Sequence, residues 1–186
     1  MSNEVATPPA VTIRPLHGND GAAVLALARA LPVDDLLFLV RDIRNEKVVA
    51  AWIEQEGRGV IRSLVATIDD GGLCGCAAVV RDAMSWSAHV AELRVVVAPH
   101  IRGTGVGRRL AQEAFALAVA DGVEKVFVRI VPEQTGAIAL FEEMGFRPEA
   151  MLRDHVRDAD GVKHDIAVLS LDVLRQGAQH RAYGMG

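Results

Sequence analysis

The residues best equipped for chemistry lie in one run, Glu92 to Leu110, with the sequence ELRVVVAPHIRGTGVGRRL. A β-branched stretch ends at Pro99, and glycines at 103, 105 and 107 lead into an alanine-rich segment of helical character. This order builds an anion site. A strand delivers the chain to a tight loop whose glycines let backbone N–H groups converge, and the helix that follows adds its unpaired first-turn N–H groups and the positive end of its dipole. Phosphate oxygens are the expected ligand. A Walker-type loop would place Lys and then Ser or Thr after its last glycine, where this chain has Arg108 and Arg109. The dinucleotide fingerprint would require glycine at position 108 and an acidic residue about 20 residues further on.

The spacing that does fit is R-x-x-G-x-G, met by Arg102, Gly105 and Gly107. Downstream, Gln134 to Arg147 reads QTGAIALFEEMGFR, a helix pattern with Ile138, Phe141 and Met144 on one side and a stop at Gly145. By these two blocks the chain resembles the GCN5-related N-acetyltransferases, whose signatures are the pyrophosphate-binding R-x-x-G-x-G loop and an N-x-x-A-x-x-L-Y helix ending at Gly-Phe. The resemblance spans residues 11 to 172, and its specific part is 92 to 147.

The resemblance implies an α/β fold with a mixed central sheet of six to seven strands and helices on both faces. It also implies acetyl-CoA as co-substrate, with no metal, and acetyl transfer to a primary amine by direct attack in a ternary complex. The acceptor is a protein lysine, a protein N-terminus or a small amine. Cofactor contacts map onto Val95, Val97, Arg102, Gly103, Thr104, Gly105, Val106, Gly107, Arg108, Gln134 and Phe141, with Arg109 as an alternative to Arg108. The Val97 backbone N–H is the expected oxyanion donor, at a break between its strand and the next. Glu92 is the candidate general base, or else a carboxylate paired with Arg94, which points to the same face two residues on. His89, His100 and His155 are chemical alternatives, with His100 nearer the phosphates.

Two departures from the family pattern bear on mechanism. Gln134 stands where Asn is usual, and Phe141 stands where a tyrosine commonly protonates the departing thiolate. Phe141 cannot donate a proton. The chain's one tyrosine, Tyr183, lies in a C-terminal tail without apolar periodicity. A non-catalytic acyl-CoA sensor is therefore the alternative function, and a nucleotide-binding protein that uses the loop for another phosphate is a third.

Several elements must position these groups. Strands are predicted at Val11–Pro15, Val60–Ile68, Leu73–Arg81, Ala88–Val97, Val126–Val131, Arg147–Val156 and His164–Leu171. Helices are predicted after Asn19 or Asp20 as cap, over Asp34–Val40, over Val48–Ile53, and over Val106–Ala120 with a stop at Gly122. An Asp-Gly-Gly turn joins the second and third strands, and Asp160-Gly161 turns the last hairpin. Cys74 and Cys76 fall two apart on one strand, which predicts small buried residues on a common face.

Composition sets the outer limits. The 186 residues, 51% of them apolar, suit one domain with a sizeable core, flanked by loose segments at 1–10 and 173–186. A formal charge of −4 argues against a general nucleic-acid binder. No apolar run reaches membrane-spanning length, and the first residues lack the basic start and apolar core of a signal peptide. Two cysteines with no disulfide framework suit a reducing cytoplasm. A homodimer is compatible with all of this.

Overall fold

Three consecutive segments, β2 (Ile61–Thr67), β3 (Leu73–Val80) and β4 (Val90–Val97), are rich in Val, Ala and Leu on both alternating faces, as strands covered on two sides require. The computed structural model describes residues 10–68 and 72–174. In it these strands form the middle of a seven-stranded sheet completed by β1 (Thr12–Pro15), β5 (Lys125–Ile130), β6 (Arg147–Arg157) and β7 (Lys163–Asp172). The order is β1-β2-β3-β4-β5-β7-β6, antiparallel throughout except for the parallel pair β4 and β5.

Helices cover both faces. The pair α1 (Gly21–Ala30) and α2 (Glu46–Gly57) closes over Val65, Cys76 and Val96 with Val24, Leu27, Ala28 and Val49. On the other face α3 (Val106–Ala120) and α4 (Thr135–Glu143) bury Leu110, Ala114 and Phe141 against Leu93, Val126 and Phe146. Helix α3 runs over the predicted span. It begins at Gly105 in the left-handed region, φ +88°, and is followed by Gly122 at φ +77°. Gly145, at φ +100°, stops the chain after α4 as expected.

The structure corrects three local expectations. Cys74 and Cys76 lie on opposite faces, because pairing slips from Ala66↔Gly75 to Thr67↔Leu73 and leaves Cys74 as the extra residue of a bulge. The stretch predicted as a helix over Asp34–Val40 has only a 3-10 turn, Val33–Leu36. Leu36 and Phe38 are both buried, and residues two apart cannot share one helical face. Asp20 precedes α1 but does not cap it. Its carboxylate takes Arg14 at 2.7 and 2.8 Å and the His17 N–H at 2.8 Å, and the Arg14 guanidinium holds it below the usual carboxylate range. Of the predicted loose segments at 1–10 and 173–186, residues 1–9 and 175–186, with Tyr183, lie outside the described residues, as do residues 69–71 at the Asp-Gly-Gly turn.

Candidate active site

The parallel neighbours β4 and β5 pair only over Val90–Glu92 with Lys125–Phe127. Beyond that point β5 stays with β7 as far as Ile130↔Ala167, while β4 stays with β3 as far as Val97↔Gly75. The sheet therefore opens a split beside Val95–Val97. The Ala98 N–H donates to Cys74 O at 2.8 Å, which turns the groups of Ala98 toward β3 and, by alternation along an antiparallel ladder, those of Val97 and Val95 toward the split. Arg102 reaches Val97 O from that side at 3.2 Å.

A cleft of about 590 Å³ fills the split, lined by Val95, Val96 and Val97, by Gly103, Gly105 and Gly107, and by Gln134 and Phe141. Gly103 and Gly105 have φ of +78° and +88°, and added Cβ atoms there would meet nothing within 4 Å. Their role is backbone shape. Gly107 packs beside the end of β4, where an added Cβ would stand 3.4 Å from Val97 Cγ2, at the near edge of ordinary contact. The first turn of α3 thus directs its unpaired N–H groups at the cleft beside three glycines, a donor set suited to a diphosphate.

Side chains of the loop divide between lining and bracing. Arg102 and Arg108 line the cleft, yet Arg102 also pairs with Asp35 at 2.5 Å, and Arg108 pairs with Glu143. Thr104 donates both its hydroxyl, at 2.6 Å, and its backbone N–H, at 3.3 Å, to Ile101 O and so braces the loop, while Val106 is buried in the core and offers a phosphate its backbone alone. Arg109 turns away to Val11 O at 3.2 Å. Gln134 reaches Asp35 Oδ1 at 3.4 Å. Phe141 is 5% exposed, edge-on to Phe146 with ring centroids 5.2 Å apart.

A second cavity, of about 260 Å³, meets the first at Val95 and Val96. It lies between α2 and the β2–β4 surface, with Ile43, Val48, Trp52, Ile61 and Val80 as apolar walls and Arg41, Gln55 and Arg94 as polar ones. Trp52 is fixed by its Nε1–H donating to Ser63 Oγ at 2.9 Å. Glu92, only 4% exposed, sits behind this cavity with Arg94 Nη2 at 2.5 Å and Arg129 Nε at 3.2 Å. Glu92 Oε2 accepts from Arg94, and the buried Oε1 faces Arg129 Nε without a hydrogen bond, so both oxygens lie beside guanidinium groups.

His89, His100 and His155 are exposed and line neither cavity. Cys76 does line the second cavity, but burial pushes its thiol up to about 12, which keeps it protonated and unreactive. Sequence reasoning missed Asp35 and Arg129. Asp35 and Trp52 join the site only through packing of the early segments on the sheet, and Arg129 only through the Glu92↔Phe127 register. Among the described residues no cluster is suited to hold a metal ion, and no helix is long and apolar enough to cross a membrane.

Comparison with known proteins agrees with this geometry. The sequence model of the Acetyltransferase (GNAT) family matches residues 28–146, well over half of the chain. No curated protein sequence matches. Among solved structures, an N-acetyltransferase from Staphylococcus aureus Mu50 superposes with a TM-score of 0.75 at 20% identity, covering 88% of this chain and 99% of that one. The yncA protein of Salmonella typhimurium, solved with its cofactor acetyl-CoA, gives 0.74 at 22% identity, covering 88% and 94%. A ribosomal-protein-alanine N-acetyltransferase from Brucella melitensis gives 0.73 at 24% identity, covering 87% and 99%.

Proposed function

The chain belongs to the acetyltransferase (GNAT) family, and from that membership we propose that it transfers the acetyl group of acetyl-CoA to a primary amine by direct attack in a ternary complex. One observation carries the proposal: two cavities, one walled by the glycine loop and the other by apolar side chains, meet at the Val95–Val96 backbone. Acetyl-CoA supplies an activated thioester carbonyl and a diphosphate.

In this proposal the N–H groups of Gly103, Gly105 and the first turn of α3 hold the diphosphate, with Arg108 alongside. The Val97 N–H, turned toward the split, receives the negative charge that grows on the carbonyl oxygen, a placement that needs no rearrangement during reaction. The acceptor amine enters from the second cavity. Glu92 serves by orienting Arg94, and the amine gives up its proton to water. Water also protonates the departing thiolate, since Phe141 occupies the place from which a hydroxyl would act. Cys76 is protonated and buried, which favours direct transfer over an acyl-enzyme route.

Release of free thiol from acetyl-CoA, with mass-spectrometric detection of acetylated amine, across a panel of small amines and a protein lysate tests the proposal. Acetyl-CoA binding without thiol release for any amine would select the second reading, a non-catalytic acyl-CoA sensor, which Phe141 favours.

A further inference from the structure

We infer that the acceptor is a small amine carrying an anionic group, of which a carboxylate is the simplest, on an apolar body, and that Arg94 is the residue that selects it. This rests on the acetyl-transfer proposal and assigns the second cavity as the acceptor site. The cavity, about 260 Å³, is of a size for an amino-acid-like molecule and is walled by aliphatic residues and the locked Trp52 ring. Its charged lining residues are Arg41 and Arg94, and no carboxylate lines it. A polycationic amine would find no counter-charge there, whereas an anion would find two guanidinium groups.

The charges behind the wall are unbalanced in the same direction. Arg94 and Arg129, both partly buried, share the single buried carboxylate of Glu92, so the group of three carries one net positive charge. Glu92 engages Arg94 only through Nη2. Among the described residues the Nη1 group has no protein partner, and the buried Nε has none either. Arg41 forms no ion pair or hydrogen bond with any described residue. Guanidinium groups match a carboxylate by paired, charge-assisted bonds, and a held guanidinium loses less entropy on binding than a free one.

Position in β4 links recognition to transfer. Arg94 directly precedes Val95, the residue at which the two cavities meet. Its side chain projects to the α2 face while the Val95 backbone turns to the split. An anion held on Arg94 therefore leaves an amine one or two bonds away close to the junction.

The test uses matched pairs that differ by one carboxylate: methionine with 3-(methylthio)propylamine, leucine with isoamylamine, and phenylalanine with phenethylamine, with spermidine as a cationic probe. The expected result is a kcat/KM at least tenfold higher for the amino acid in a pair, lost in Arg94→Met and weakened in Arg41→Gln. Acetyl-CoA affinity and melting temperature serve as controls for folding. If Arg94→Met does not fold, the wild-type pair ratios and the exposed Arg41→Gln variant decide the matter. Calorimetric titration of the CoA-loaded protein with the same pairs reads the cavity independently of turnover. A carboxylate preference in binding without transfer to any amine supports this inference while overturning the proposed catalysis. Transfer that is equal within each pair, or that favours spermidine, overturns this inference and leaves the catalysis standing. Equal binding within each pair likewise overturns it.

Discussion

The Arg102 guanidinium lies 2.5 Å from the Asp35 carboxylate and bridges the cleft in which a diphosphate is proposed to sit. Asp35 lines that cleft and also receives Gln134 Nε2 at 3.4 Å, so one acidic side chain ties the segment after α1 to both cofactor motifs. A carboxylate there opposes a bound diphosphate and competes with it for Arg102. Asp35→Asn is expected to tighten acetyl-CoA binding by about two- to fivefold at low salt, the scale of a partly exposed ion pair. The gain should shrink as salt rises. Calorimetry at two ionic strengths measures it, and equal affinity of variant and parent at low salt would reduce Asp35 to a brace.

Gly105 tests the phosphate loop. Its φ of +88° is costly for any side chain, although space around it is open. Gly105→Ala is expected to lose about 1–2 kcal/mol of stability from backbone strain. Gly105→Val should in addition weaken acetyl-CoA binding by about tenfold or more, the loss expected when a charge-assisted hydrogen bond is displaced. Thermal melting and calorimetry separate the two effects, and a folded Gly105→Val protein with parental affinity would remove the loop from the cofactor site.

Phe141 separates packing from proton transfer. Its ring is buried and edge-on to Phe146, so Phe141→Ala is expected to cost about 3–5 kcal/mol. Phe141→Tyr should melt like the parent and turn over at least as fast, because its hydroxyl would point into the cleft from a position that already lines it. A Phe141→Tyr protein that folds but transfers nothing would show that this wall touches the acceptor.

Glu92→Gln distinguishes positioning from base catalysis. Removing the carboxylate leaves two guanidinium groups facing each other, and a loss of about 1–3 kcal/mol in stability is expected. Acceptor KM should rise while the shape of the pH-rate profile stays that of the parent. A loss confined to neutral pH and recovered in alkali would instead make Glu92 the base.

The pair His164–Asp158, 2.8 Å apart at the end of the last hairpin, predicts a pH dependence of stability. Its hydrogen bond to Asp158 raises the His164 pKa, with Glu133 and Asp34 adding to the effect, and the same bond lowers that of Asp158. The histidine contribution is complete below the ordinary value of about 6.5 and is lost as pH rises through the elevated folded value. The aspartate contribution is present above about 3.9 and is lost as pH falls through its depressed value. Melting temperature should therefore carry a favourable window between about pH 4 and 6.5 that His164→Asn abolishes on the alkaline side.

Local patterns carried much of this architecture. Apolar alternation and turn residues placed all seven strands within a few residues, and glycines at 105, 122 and 145 set helix ends because left-handed backbone is cheap only for glycine. Failures occurred where distant partners overrode local preference. The bulge at Cys74 moved the two cysteines to opposite faces. Asp20 abandoned its helix for Arg14, and Leu36 with Phe38 unwound a short helix to fill space over the sheet.

The sequence by itself determined the glycine loop, its helix, the Gln134–Gly145 block and hence the family, because these depend on residue types at fixed short spacing. It also showed that residue 141 lacks a hydroxyl. Only the tertiary structure decided what surrounds them. The parallel β4–β5 register brings Arg129 to Glu92, the parting of those strands turns Val95 and Val97 toward a cleft, and packing of α2 on the sheet encloses the cavity lined by Arg94. Those relationships join residues far apart in the chain, and they are set by the burial of whole faces, which no short spacing records.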